Sequence, residues 1–457
     1  MTTHQVDIAV IGGGAAGLAA VREARRRGAS ALIVNRGPLG GDCTFTGCIP
    51  SKSVIEAARV GASFAEAFQR ARQVVEQIAA TETPDVLRAE GIVVLDEEGV
   101  LVGPGQIRAG TSSVKARGVV LALGGRPVLP PISGLAESGV LTTDTIWELH
   151  EAPSSLTIIG GGAIGCELGQ ALATLGVSVT LVELAPRLLP GEEVQASAII
   201  EQELRSSGVN VYTGVSVEQV EVSPEGQRLQ LSDGSSLVTE RVLVAAGRKP
   251  SSDRGALSET GVELDRRGYI KVGDDLATNL RHTYAAGDIT GKLQLTHAAD
   301  AMGRIAATNI LRRVGRARFR AEQIPRVTFT SPEVASIGLS EGEAARMLRG
   351  ARVAELPLAE HDRAVAADMT NGYLKLISGP KGVLGHLGGG RLVGATIVAE
   401  RAGEMMAELA LALRLRVFIG RLAMTTHPYP TWSYAIPKVA AQFFTTIESR
   451  EARPAKE

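Results

Sequence analysis

The sequence predicts an α/β fold: two Rossmann-like βαβ units followed by an α+β domain. Three observations predict it. A short apolar run that ends in closely spaced glycines occurs twice. Both copies keep the same order of elements at a constant offset. From about Pro325 the texture changes to short alternating runs set around helical ones.

The first unit opens on the apolar run Val6–Ile11. It enters Gly12-Gly13-Gly14-Ala15-Ala16-Gly17, continues as a helical stretch to Arg27, and returns as a strand, Ala31–Val34, that ends at Asn35. The second opens on Leu156–Ile159 and enters Gly160-Gly161-Gly162-Ala163-Ile164-Gly165. It continues as a helix to about Leu175, then as a strand, Val177–Val182, that ends at Glu183. Positions 12 and 160 differ by 148, as do positions 35 and 183. Each turn has the G-x-G-x-x-G spacing. The first glycine makes the tight turn, the second lets the backbone approach a pyrophosphate, and the third lets helix and strand pack closely. The helix N-terminus then holds negative charge. One such motif is weak evidence; two in full βαβ context are strong. Two further apolar strands, Val119–Leu123 and Val242–Ala246, end at Gly124 and Gly247, and Tyr284-Ala285-Ala286 ends at Gly287-Asp288. In the last third, Val327–Thr330, Tyr373–Ile377 and Leu392–Val398 read as strands and Gly403–Leu413 as a helix. The tail from Ser449 is expected to fray.

A chain of 457 residues is long enough for several domains. A 44 % hydrophobic content suits well-filled cores. With 48 basic and 49 acidic residues the net charge is −1, which speaks against nucleic acid or an anionic membrane as partner. The arginine-rich stretches at 25–27 and 312–320 read as solvated helix faces. No signal peptide or spanning segment is evident, so a cytoplasmic location is expected. Three cysteines are too few for a disulfide-stapled scaffold. Cys43 and Cys48, in Gly40-Gly41-Asp42-Cys43-Thr44-Phe45-Thr46-Gly47-Cys48-Ile49-Pro50-Ser51-Lys52, suit redox chemistry, half a metal site, or two structural thiols. Cys166, inside the second glycine motif, reads as a small core residue, and no resident metal site is expected.

This cysteine run, the two fingerprints in order, Ala285-Ala286-Gly287-Asp288 and Pro325–Glu333 together resemble the flavoprotein disulfide reductases, the group of dihydrolipoamide dehydrogenase, glutathione reductase and mercuric reductase. The resemblance covers nearly the whole chain. It implies an FAD-binding domain at 1–149 and 271–324, an NAD-binding domain at 150–270, and a dimerisation domain at 325–457. It implies a homodimer in which electrons pass from NADH through FAD to a redox-active disulfide, Cys43–Cys48. Gly12, Gly14 and Gly17 would hold the FAD pyrophosphate, with Asn35, Gly41, Asp42, Gly124 and Gly287 in the same site. Asp288 would bond the ribityl chain, and Leu295-Thr296-His297-Ala298 would lie beside the flavin. Cys48 would be the thiol nearest the flavin and Cys43 the one that meets substrate, with Lys52 near the flavin and paired with Glu167. Gly160, Gly162, Ile164, Gly165, Glu183 and Gly247 would hold the nicotinamide dinucleotide.

Three positions depart from the family pattern. Asn35 stands where the family usually has Glu; its carbonyl oxygen still accepts a hydrogen bond. Thiol-handling members carry His-Pro-Thr-x-Ser-Glu near the C-terminus, whereas this chain reads Thr426-His427-Pro428-Tyr429-Pro430-Thr431-Trp432-Ser433-Tyr434. One register places Tyr429 and Tyr434 at the His and Glu positions. The other keeps His427 but puts Trp432 where Glu should be. A phenol, with a pKa of about 10, is a poor base at neutral pH. Mercuric reductases likewise carry Tyr at the His position, yet they add a C-terminal cysteine pair and, in some, an N-terminal metal-binding domain. No cysteine follows Cys166, and no such N-terminal domain is expected in this chain. Efficient mercury detoxification is therefore not expected; the missing base fits mercuric-reductase-like chemistry on soft metals or reduction of a quinone-like electrophile. The alternatives are a dihydrolipoamide dehydrogenase-like enzyme and a redox sensor or electron-input subunit of a larger complex.

Glu183 sets the nucleotide preference, because a carboxylate at that strand end accepts from a ribose 2′-OH and repels a 2′-phosphate. NADH is expected to be preferred over NADPH. Comparable turnover with both at low concentration sinks this assignment.

Overall fold

The computed structural model describes residues 2–253, 255 and 257–457, with Ser258 described by its backbone alone. They form two compact units. One comprises residues 1–131, 139–152 and 243–321; the other comprises 132–138, 153–242 and 322–457.

The first unit is built on a parallel sheet. Its strands run in the order Ile92–Leu95, Ala31–Val34, Thr2–Ile11, Ser112–Leu121, and Thr283–Ala285 pairs with the far end of Ser112–Leu121. Gln106–Ala109 and Gly99–Gly103 extend it as an antiparallel edge. The central strands are apolar on both faces, as a sheet covered on both sides requires: Ile8, Ala9, Val10, Leu32, Ile33, Val119 and Val120 are all fully buried. The first strand begins at Thr2, four residues before its apolar run, because residues 2–6 pair with 112–116. The helix Ala15–Arg26 and the strand Ala31–Val34 complete the first βαβ unit. The runs expected as strands at 119 and 242 leave extended geometry after Leu121 and Val244, ahead of Gly124 (φ +68°) and Gly247 (φ +113°). Beyond those glycines, Gly125–Pro127 and Arg248–Pro250 pair as a short antiparallel ribbon.

The second unit holds the second βαβ: Ser155–Ile159, the helix Ala163–Thr174, and Ser178–Glu183, with Asn210–Thr213 as the next parallel strand. It also holds a six-stranded antiparallel sheet in the order Arg326–Thr328, Glu333–Gly338, Arg391–Ala399, Tyr373–Gly379, Arg352–Pro357, Arg453–Pro454. The helix Ala402–Arg414 packs on this sheet through Met405, Met406 and Leu409. No helix among the described residues is long and apolar enough to cross a membrane.

The tail does not fray as its composition suggested. Arg453 and Pro454 pair with Val353 and Arg352 as an edge strand. The Arg453 guanidinium forms an ion pair with Glu341, which also accepts the Lys456 amide at 3.1 Å. Glu341 in turn pairs with the buried Lys375 at 3.0 Å, and Glu193 and Glu355 stand 3.5 and 3.6 Å from the same ammonium. A buried cation needs such partners, since desolvation alone would expel its charge.

Burial raises the Glu341 carboxyl, but hydrogen bonds from Arg453 and Lys375 outweigh it and hold the group down to about 2. The stability it contributes is therefore complete above its unfolded-state value of 4.5 and is lost as pH falls toward about 2. Glu341→Gln should lower stability at pH 7 by about 1–3 kcal/mol and flatten the acid limb of a Tm-versus-pH curve. An unchanged acid limb in the variant removes Glu341 as the source.

Candidate active site

The first glycine turn is shaped by close contacts that leave no room for side chains. Gly12 has φ +108°, and a Cβ there would lie 2.2 Å from the Ala122 carbonyl oxygen; at Gly17 it would lie 1.9 Å from the Gly12 carbonyl oxygen. The helix Ala15–Arg26 is thus seated directly on the strand end. Gly14 caps it with no side-chain bond to the first-turn amides, the arrangement that receives a phosphate. Asn35 accepts the Gly13 amide at 2.8 Å and donates to the Gly37 and Pro38 carbonyls, both at 3.1 Å. Its carboxamide shapes the turn with every polar atom engaged.

The second turn repeats this geometry. Gly160 has φ +116°, and a Cβ at Gly165 would lie 1.9 Å from the Gly160 carbonyl oxygen. Around Gly162 there is open space, and Ile164 is exposed in the first turn of the helix. Glu183 accepts the Gly161 and Ala185 amides, each at 2.6 Å. Cys166 is fully buried, and burial pushes its thiol up, so it is a packing residue.

In the first unit a bridge between Gly14 and Gly40 ties the cysteine segment to the first glycine turn. Gly41, at φ +65°, starts the short helix Gly41–Phe45 that carries Asp42 and Cys43, and Cys48 starts the helix Cys48–Arg59. Lys52 lies one turn further along that helix, on the Cys48 face. The two cysteines stand as thiols. A hydrogen bond to Cys48 raises the Cys43 thiol above its ordinary value, and burial adds to this. Thr296, the first residue of the helix Thr296–Leu311, places its hydroxyl 3.1 Å from the Cys48 sulfur and bonds Cys43 as well. Leu295 is the N-cap of that helix, His297 is exposed and Ala298 is fully buried. Trp147 anchors the loop between the cysteines by donating to the Thr46 and Thr143 carbonyls, each at 2.8 Å. Both thiols line a cavity of about 1000 Å³ bounded by the helices that start at Ala15 and Thr296.

Arg248 was not singled out by the sequence. The ribbon after Gly247 carries it to Asp288 at 3.3 Å, to Asp42 and to the Gly125 carbonyl at 2.8 Å. Burial raises the Asp288 carboxyl; Arg248 opposes that, and Asp42 adds to it. Gly287, at φ +84°, brings this strand end beside Ala16 of the first helix. The signal was the Arg-Lys-Pro after Gly247, but only the fold gives it two carboxylate partners.

In the second unit His427 has a carboxylate partner that motif matching did not supply. Its Nε2 lies 2.7 Å from Glu408, on the helix Ala402–Arg414, and its Nδ1 lies 3.0 Å from the Thr425 carbonyl. The imidazole is only 6 % exposed. Tyr429, by contrast, is 64 % exposed, packs edge-on against Tyr434 at 5.3 Å, and bonds Asp362, which raises its phenol. Glu167 is buried and accepts the Phe329 amide at 2.9 Å. It belongs to the second unit and Lys52 to the first. Among the described residues no group of three or more His, Cys, Asp and Glu side chains is close enough to hold a resident metal.

Residues 6–303 match the family model described as pyridine nucleotide-disulphide oxidoreductase, and residues 324–440 match its dimerisation domain. A mercuric reductase of Streptomyces lividans is 33 % identical, over 96 % of this chain and 96 % of its own length. A dihydrolipoyl dehydrogenase of Chlamydia pneumoniae is 31 % identical, over 94 % and 95 %. The structure of a Cu(II) complex of the HOCl-induced flavoprotein disulfide reductase RclA from Escherichia coli superposes with a TM-score of 0.87 at 25 % identity, over 96 % of this chain and 99 % of that one. The chain belongs to the pyridine nucleotide-disulphide oxidoreductase family, FAD-dependent flavoenzymes that use a pyridine nucleotide. The first unit's residues fit FAD: the cradle at Gly12 and Gly17 has room only for backbone, and Asp288 is held by the half-buried Arg248.

Arg248→Leu would leave Asp42 and Asp288 without their cation beside the pyrophosphate cradle. FAD affinity should fall by roughly 10–100-fold, read as flavin absorbance per polypeptide after gel filtration. Stoichiometric flavin retained by the variant overturns this role.

Proposed function

We propose that the chain is a homodimeric NADH-dependent flavoenzyme whose dithiol, Cys43 and Cys48, delivers electrons to a thiophilic metal ion. The observation that carries the reading is the state of His427. Its Nδ1 lies 3.0 Å from the Thr425 carbonyl and its Nε2 lies 2.7 Å from Glu408, so both ring nitrogens already have partners. The ring is covered, and neither nitrogen is open to receive a thiol proton. The exposed groups of the same loop are phenols, poor bases at neutral pH. Ordinary thiol–disulfide interchange needs a base. A metal ion needs two thiolates, and it displaces their protons itself.

FAD, when bound, supplies two electrons derived from NADH. Thr296 holds the Cys48 sulfur in place by hydrogen bonding. Cys43 and Cys48 open on the cavity, so a metal ion reaches them directly, without relay cysteines. With a mercuric ion the balance is NADH plus Hg(II) giving NAD⁺, Hg(0) and one proton. The carboxylate of Glu183 favours NADH.

The second reading is a dihydrolipoamide dehydrogenase-like activity. The His427–Glu408 pair favours it, because a carboxylate-oriented imidazole is the form a base would take. Anaerobic assays separate the two. We expect NADH oxidation driven by Hg(II), abolished by Cys48→Ser, and NAD⁺ reduction by free dihydrolipoamide slower by at least about 100-fold. Rapid dihydrolipoamide turnover that is lost in His427→Gln reverses the assignment.

A further inference from the structure

The cavity that holds the thiols also holds a carboxylate that the dithiol chemistry does not call for. Glu82 lies between the helices Phe64–Ala79 and Pro84–Ala89 and lines the same cavity as Cys43 and Cys48. The buried hydroxyl of Thr44, the residue after Cys43, donates to it at 3.1 Å. Gly40, at φ +117°, makes room for it: a Cβ there would lie 2.7 Å from its Oε2. Glu82 is therefore placed against the cysteine segment from both sides.

Its charge is not cancelled locally. Among the described residues no lysine or arginine nitrogen pairs with Glu82. The cavity's arginines have other partners: Arg22 pairs with Glu90, Arg26 with Glu23 and Arg304 with Asp300, while Arg25 donates to backbone carbonyls. Those on the first helix also lie toward its far end. At about 1.5 Å per residue, Arg22 to Arg26 are roughly 10–16 Å along the axis from Ala15, the end bridged to the cysteine segment.

A carboxylate beside a nucleophilic thiol opposes thiolate formation, and the charge of Glu82 does raise Cys43. For an enzyme that attacks neutral or anionic disulfides this placement is a handicap. For one whose acceptor is a cation it is an advantage, because the same charge draws the acceptor toward the thiols. We propose that Glu82 is the specificity determinant of this site, selecting cationic acceptors over anionic disulfides by charge, without itself being a ligand. The proposal rests on the metal-acceptor reading. The metal bonds to Cys43 and Cys48, and the two thiol protons pass to water or to the ligands the metal leaves.

The test uses the FAD-loaded dimer with NADH and two acceptors of opposite charge. These are Hg(II) presented as its bis-cysteamine complex, a dication at neutral pH, and dithionitrobenzoate, a dianionic disulfide. Glu82→Gln should lower kcat/KM for Hg(II) by about 10-fold, mainly through KM, and raise kcat/KM for dithionitrobenzoate by about 3–10-fold. Glu82→Asp should behave like the parent. Added salt should weaken Hg(II) turnover in the parent more than in Glu82→Gln. A misplaced or loosened site would lower both acceptors together, and that result overturns the proposal, as does Hg(II) turnover indifferent to Glu82→Gln. A parent enzyme whose flavin is bleached by NADH but which shows no Hg(II)-dependent turnover defeats the acceptor reading itself, and this inference with it.

Discussion

A carbonyl oxygen standing where a side chain would begin governs both glycine turns. At Gly17 and Gly165 the space for a Cβ is filled by the carbonyl oxygen of the turn's first glycine. That contact seats each helix on its strand end and leaves the first-turn amides pointing outward. The rest of the first site is hung from this seat. Gly40 bridges to Gly14, the cysteine segment follows from Gly40, and Gly287 brings Asp288 against the same helix. The cysteine pair is placed by the first glycine turn: a methyl group at position 17 would disturb both.

The two turns also share a quieter device. Asn35 and Glu183 each accept the amide of the middle glycine, so the residue at the second strand's end braces the loop whatever ligand it meets. Amide and carboxylate perform that bracing equally well. The first unit thus braces its turn with Asn where the second uses Glu.

What was legible in the sequence was whatever repeats at short range. Apolar runs, glycine spacing and the cysteine segment located both βαβ units, and Ala31–Val34 emerged with the same bounds. What was not legible were partners brought from far along the chain. Glu408 reaches His427 because a helix covering the antiparallel sheet happens to face the C-terminal loop, and no motif spacing encodes that. Arg248 finds Asp42 across 206 residues, and Thr44 finds Glu82 across 38. The tail misled for the opposite reason: a polar, proline-containing stretch reads as solvent-exposed until Arg453 meets Glu341.

The chain has two tryptophans, one in each unit. Trp147 hydrogen-bonds the backbone midway between the cysteines, and Trp432 lies in the C-terminal loop beside His361 and under Arg363. The molecule thus carries a separate optical reporter at each of its two chemically distinctive segments. Intrinsic fluorescence from the first reports the surroundings of the Thr46 carbonyl between the cysteines. Emission from the second follows the phenol-bearing loop, and replacing either indole with phenylalanine isolates the other's signal.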